Sequence, residues 1–219
     1  MFIGHYGVSF AAKRWAPRLS LGWLFLAVQL LDVLFATFVF AGVERIRIVP
    51  GFTAYNPYDL VFMPYSHSLV GALAWSALVA LGARALLGRD GSAAALALGI
   101  AVFSHWLLDV PMHTPDMPLL GDSSPKIGLG LWRHRELSLL AELVTLAAGV
   151  LIWLRATGGL ARARVATIGF LVLLTAMLLA TPFMPPPKGG AAFAATALCS
   201  YVALAGAAAW VDRARGRVI

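Results

Sequence analysis

The chain has 219 residues, 60% hydrophobic and only 12% charged, about half the charged share of a soluble globular domain. Together with a mean hydropathy of +0.82, this excludes a disordered chain, a small disulfide scaffold and an ordinary water-soluble enzyme domain. It predicts an all-α polytopic transmembrane bundle of about six spans, in a single integral-membrane domain over residues 1–219.

Lys and Arg outnumber Asp and Glu 17 to 10, a net +7. The basic residues stand in short connections between apolar runs, where they set topology and do not call for nucleic acid. The first stretch, Met1 to Ala12, is apolar, with no basic residue before it and no small-residue cleavage site, so no cleavable signal is expected. Residues 1–18 read as an amphipathic or re-entrant segment. In the re-entrant case a half-helix from Gly4 to Ala12 carries His5 into the bundle and Lys13, Arg14 and Arg18 anchor its end at the headgroups; in the other case His5 lies in solvent at the interface.

Six apolar runs follow: Leu19–Ala41, Ser68–Leu87, Ala93–Val110, Leu137–Leu154, Ala166–Thr181 and Ala191–Val211. Breakers such as Pro50-Gly51, Gly88 to Gly91, Gly158-Gly159 and Pro185 to Pro187 separate them. Residues 42–65 and 111–136 form long connections, expected to be ordered, non-cytoplasmic lids over a mouth. With a cytoplasmic N-terminus, the inside segments hold Lys13, Arg14, Arg18, Arg84, Arg89, Arg155, Arg162, Arg164, Arg213, Arg215 and Arg217, against Arg45, Arg47, Lys126, Arg133, Arg135 and Lys188 outside. That bias predicts both termini cytoplasmic in a bacterial-type inner membrane. Tyr55, Tyr58, Tyr65, Trp106, Trp132, Trp153 and Trp210 suit interfacial belts, and Cys199, alone in an apolar run, suits packing.

Ionisable residues inside spans cost about 2.5–3.5 kcal/mol each by insertion scales and point to function. Alternating topology brings Asp32, His67, His105, Asp109 and Glu142 to one level, in the outer half of four spans. His105 and Asp109 are spaced i, i+4 and share a helical face. With His67 and Asp32 they make a His2Asp2 set suited to zinc, manganese or iron. His113 follows four residues on, past Pro111, which is expected to bend or end the helix. His134 reads as a loop residue. Lys126, beside the Gly128 and Gly130 backbone, could receive a substrate anion, and Asp59 could line the mouth.

The segments Tyr65-Ser66-His67-Ser68-Leu69 and Ser104-His105-Trp106-Leu107-Leu108-Asp109 resemble the membrane-bound metal-dependent hydrolase family related to YdjM, over about residues 1–145. More distantly, the pattern is similar to the helical zinc phospholipases C and single-strand-specific zinc nucleases. That likeness implies a metal cluster on His5, Asp32, His67, His105, Asp109, His113 and Glu142. Where that group has a histidine four residues before its late Glu, this chain has Ser138, and the phospholipases' amino-terminal ligand has no evident counterpart.

The expectation is a hydrolase with one to three divalent ions, zinc first, in which metal-activated water attacks a phosphoester or lipid-like substrate at the outer leaflet. Asp32 and Glu142 are the candidates for moving a proton. The partners expected are the bilayer and a lipid-like or phosphorylated small molecule, with no nucleic acid. Two other functions use the same residue types. An ion or metal transporter would carry polar residues in its inner halves too, and in the sequence those are nearly bare. A haem-binding membrane protein would use two histidines at matching depth as axial ligands.

Overall fold

The computed structural model describes residues 1–160 and 163–216; Arg162 and Arg217, counted above for topology, lie outside them. The described chain is a helical membrane bundle. Five helices are long and apolar enough to cross a bilayer: α4 (Leu69–Leu87), α5 (Ser92–Met112), α6 (Arg135–Ala156), α7 (Arg164–Ala180) with the 3-10 turn that carries it to Phe183, and α8 (Gly190–Ala214). The pair α2 (Leu21–Val28) and α3 (Leu30–Phe40), bent by 56° at Gln29, passes the same test only when taken together, as a broken span or a re-entrant loop, which gives five or six crossings. The first apolar run is therefore not one straight helix. Pro111 lies inside the last turn of α5, which continues to Met112.

The N-terminal segment is buried inside the bundle, and His5 does not lie in solvent. A short 3-10 turn (Ile3–His5) leads into α1 (Tyr6–Ala12), and Ile3, His5, Tyr6 and Phe10 are fully buried. Backbone contact between α1 and α6 allows this. A Cβ on Gly7 would overlap the Thr145 carbonyl, and one on Gly149 would overlap Gly7. In lipid, where apolar burial gives little drive, such close backbone approach is what holds helices together. Below His5 the segment packs through aromatic rings: Tyr6 stacks on Phe25 at 4.1 Å, and Phe10 meets Phe25 and Trp153. Each such pair contributes about 0.5–1.5 kcal/mol beyond its contact area.

Lys13 does not anchor in headgroups. It is buried and donates to the carbonyls of Pro17 and Leu19 and to Asp212 near the end of α8. Arg215 is buried beside it in the fold, donating to Thr167, Thr157 and Gly159 over the Trp153 ring. That end of the bundle is thus polar inside, contrary to the bareness expected from sequence.

Both long connections are ordered. Residues 42–65 contain the antiparallel pair β1 (Arg45–Ile48) and β2 (Tyr58–Phe62), and residues 111–136 contain the short pair β3 (Met117–Pro118) and β4 (Lys126–Ile127). They are tied together: the Tyr55 N–H donates to the Trp132 carbonyl, and Arg135 Nε donates to Ala54. Trp106, Trp132 and Trp153 are buried and belong to the core, not to a belt; Trp210 is exposed. Cys199 faces outward from α8, so it does not pack in the core.

Candidate metal centre

Four histidines and two aspartates from four segments meet inside the bundle, at the end capped by the two hairpins. The 3-10 turn before α1 supplies His5, α3 supplies Asp32, the turn leading into α4 supplies His67, just before the N-cap Ser68, and α5 supplies His105 and Asp109, with His113 at its C-cap. Their imidazole Nε2 atoms surround the carboxylates. His105 Nε2 lies 3.1 Å from Asp109 Oδ2 and 3.5 Å from Asp32 Oδ1. His67 Nε2 lies 3.4 Å from Asp32 Oδ1 and 3.8 Å from Asp109 Oδ2. His5 Nε2 is 3.1 Å from Asp109 Oδ1, and His113 Nε2 is 3.4 Å from Asp109 Oδ2. The His5 and His105 rings stack at 3.9 Å. The amino group of Met1 also reaches Asp109 Oδ1, at 2.7 Å, where the sequence offered no counterpart for an amino-terminal ligand.

The far nitrogens decide what these contacts are. His105 Nδ1–H donates to the Val28 carbonyl at 2.7 Å, an acceptor freed by the helix break at Gln29. His67 Nδ1–H donates to Ser66 Oγ at 2.8 Å, because the Ser66 hydroxyl spends its own proton on Glu44. His113 Nδ1–H donates to Asp116 at 2.9 Å. With Nδ1 bound to these outer acceptors, Nε2 is the atom that each imidazole turns toward the carboxylate oxygens, as a lone pair once any proton on it is lost. His105 Nε2 is buried without a hydrogen-bond partner. Lone pairs facing carboxylates repel unless a cation lies between them or the rings take up protons.

The donor set fits a divalent ion. Two groups have ligand atoms all within 4.8 Å of one another: His5, His105 and Asp109, and Asp32, His67 and His105. Ligands about 2.1 Å from a tetrahedral ion lie about 3.4 Å apart, close to the spacings above. His105 offers one free nitrogen to the two groups, so bridging between ions would fall to carboxylates. The Nδ1 partners match the outer contacts that orient metal-ligating imidazoles. Haem ligation by His67 and His105 would need a flat slot between their rings, and carboxylate oxygens fill that position.

Asp32 is the accessible member, its side chain 20% exposed where the others are at most 3%. Its Oδ2 accepts from Tyr201 of α8 at 3.1 Å and from Gln29 at 3.3 Å. His113 is electrostatically tuned: burial alone would push its imidazole down, but Asp116 and Asp109 outweigh burial and raise it to about 9.

Three candidates from the sequence have other tasks. Glu142 is buried, and its Oε2 accepts the N–H groups of Phe2 and Gly4 while Oε1 accepts the Tyr55 hydroxyl at 2.8 Å. It pins the N-terminal segment in place. Lys126 pairs with Asp122 and Asp59 with Arg47, both in ion pairs of the connections. The glycine-rich stretch does not offer its amides to an anion: Leu129 N–H donates to Val110 and Gly130 N–H to His113, which holds the end of α5. Gly128, with φ +154, passes so close to the His113 and Thr114 carbonyls that no Cβ fits. His134 is exposed at the N-cap of α6.

Sequence reasoning missed Glu44, Ser66, Asp116, Gln29 and Tyr201. Only Ser66 and Asp116 carry a local signal, each lying within three residues of a candidate histidine. Comparison of the chain with protein-family models, with curated proteins and with solved structures finds no match.

Proposed function

We propose that this integral membrane protein is a metal-dependent hydrolase whose centre is built by His5, Asp32, His67, His105, Asp109 and His113. The observation that carries this reading is the hydrogen-bond pattern: three imidazoles place Nδ1 against partners outside the centre and turn Nε2 toward two carboxylates. Zinc suits the mixed nitrogen and oxygen set best, with manganese or iron as further occupants. A divalent ion there would supply Lewis acidity and an activated water.

The protein's own groups divide the remaining work. Asp109, within 3.8 Å of all four imidazoles, holds the centre together. Asp32 faces the more open side, next to α8, and is the carboxylate placed to meet substrate and take a proton. The partial exposure of Asp32 beside the membrane helix α8 favours a lipid-like substrate, and the distant resemblance to zinc phospholipases favours a phosphoester. The acceptor side is assigned to the non-cytoplasmic face of a bacterial-type inner membrane, from the basic-residue bias.

A carrier for metal ions is the second reading. The aromatic layer of Tyr6, Phe10, Phe25 and Trp153 speaks against it, because it separates the histidine cluster from the polar end at Lys13 and Arg215. Zinc-loaded protein in mixed micelles should hydrolyse a phospholipid or phosphoester probe, and His67→Ala and His105→Ala should each abolish turnover. Serving one centre, the two losses should not multiply. Zinc transport into proteoliposomes without turnover of any probe would move the assignment to the carrier.

A further inference from the structure

The connection after α3 contains a buried carboxylate, Glu44, that the proposed chemistry does not use. Glu44 Oε1 accepts the backbone N–H groups of Tyr65 at 2.9 Å and Ser66 at 3.0 Å. Its Oε2 accepts the Ser66 hydroxyl at 2.6 Å, and Ser66 Oγ in turn lies 2.8 Å from His67 Nδ1. Glu44, Ser66 and His67 are all buried. The Trp106 indole N–H fixes the same corner by donating to the His67 carbonyl at 3.0 Å.

The polarity of this chain is dictated by its first member. A carboxylate only accepts, so the Ser66 hydroxyl must donate to Glu44 and has only lone pairs left for His67. His67 must then carry its hydrogen on Nδ1. We infer that Glu44 is a positioning residue acting through Ser66, which sets the His67 tautomer and so keeps Nε2 free to ligate a divalent cation. The inference rests on the metal-centre reading above. Glu44 immediately precedes β1, whose first residue Arg45 pairs with Phe62, so the hairpin that caps the site also delivers the group that prepares one of its ligands.

Glu44→Gln makes a sharp reversal. The two backbone N–H groups need the amide oxygen at the Oε1 position, which leaves the amide NH2 facing Ser66. Ser66 then accepts from Gln and has its own proton free, and donating it to His67 Nδ1 is the arrangement that leaves no hydrogen unpaired, so the ring shifts to its Nε2–H form. Ser66→Ala removes the relay while leaving both backbone hydrogen bonds to Glu44 intact, so it separates positioning of the ring from support of the loop.

The test is nitrogen NMR of histidine-labelled, zinc-free protein in detergent, with His67 assigned by its loss in His67→Ala, alongside competition titration with zinc. His67 should be the Nδ1–H tautomer in the wild type and the Nε2–H tautomer in Glu44→Gln. Zinc affinity should fall about 10–100-fold in Ser66→Ala, the range seen when outer partners of metal ligands are lost, and at least as far in Glu44→Gln. A His67 tautomer unchanged in Glu44→Gln, or wild-type zinc affinity in Ser66→Ala, overturns the relay alone, even where the wild type binds zinc. Wild-type protein that binds no zinc overturns the metal reading itself, and the relay's purpose with it, whatever tautomer is found. If Glu44→Gln does not fold, the Ser66→Ala affinity decides.

Discussion

His105 Nδ1 lies 2.7 Å from the carbonyl oxygen of Val28, 77 residues earlier in the chain. The contact exists because α2 ends at Val28 and the chain turns by 56° before α3 begins. In an unbroken helix the Val28 carbonyl would accept the N–H four residues on. The bend at Gln29 thus does two things: it exposes an acceptor that orients His105, and it sets Asp32, in the first turn of α3, opposite the same ring at 3.5 Å.

The insertion of α1 depends on two glycines in backbone contact. Gly149→Ala places a methyl against Gly7, and overpacking of this kind costs about 1–3 kcal/mol. The variant is expected to melt earlier in detergent and to bind zinc more weakly, since His5 is displaced along with α1. Thermal unfolding and zinc titration measure both effects; an unchanged melting temperature would mean that α1 does not lie against α6.

Glu142 is expected to behave as a structural acceptor. Glu142→Ala strands two backbone N–H groups and the Tyr55 hydroxyl, at about 1–3 kcal/mol for each buried group left unpaired. Burial pushes the Tyr55 phenol up, and the Glu142 carboxylate adds to the shift, so Tyr55 stays a proton donor to Glu142 well above neutral pH. Glu142→Gln keeps an acceptor oxygen, and its turnover should fall by less than about 10-fold. Loss of a general base costs about 10²–10⁴-fold, and a loss of that size in kcat at full zinc occupancy would restore Glu142 to the chemistry.

The candidate site was legible in the sequence where helical periodicity alone builds it. His105 and Asp109 are one turn apart, and the structure puts Nε2 and Oδ2 at 3.1 Å. The convergence of Asp32 and His67 on that pair followed from the alternation of spans. Glu44 and Tyr201 were not legible, because their partners lie 21 to 169 residues away and neither sits at an informative spacing. The break at Gln29 left no trace either: it has no proline or glycine, and its polar side chain is spent on Asp32. The hydrogen bonds of Glu142 were not legible either, because depth in the membrane identifies a costly group without saying what satisfies it.

Zinc binding should release protons. His113, held at about 9 without metal, carries a proton at pH 7. An imidazole must lose that proton to ligate. Apparent zinc affinity should therefore rise as pH increases toward 9, and proton release at pH 7 should fall by close to one in His113→Gln. Calorimetry in two buffers of different ionisation enthalpy gives the count. Equal release from wild type and variant would remove His113 from the ligand set.

Sidedness can be read by labelling. Ser123 lies in the exposed part of the second long connection, and Ser92 at the start of α5 lies at the opposite end of that helix. With both termini cytoplasmic, an impermeant maleimide applied to intact cells should label Ser123→Cys and spare Ser92→Cys, in a Cys199→Ala background. The opposite pattern would turn the metal centre toward the cytoplasm.

Metal content tests the central claim most directly. Protein purified in detergent, incubated with zinc and desalted should retain at least one equivalent per chain by elemental analysis. Asp109→Asn, which changes the carboxylate that touches His5, His105 and His113, should fold and retain almost none. Wild-type protein without bound metal, or Asp109→Asn with full occupancy, would contradict the assignment of this cluster as a metal centre.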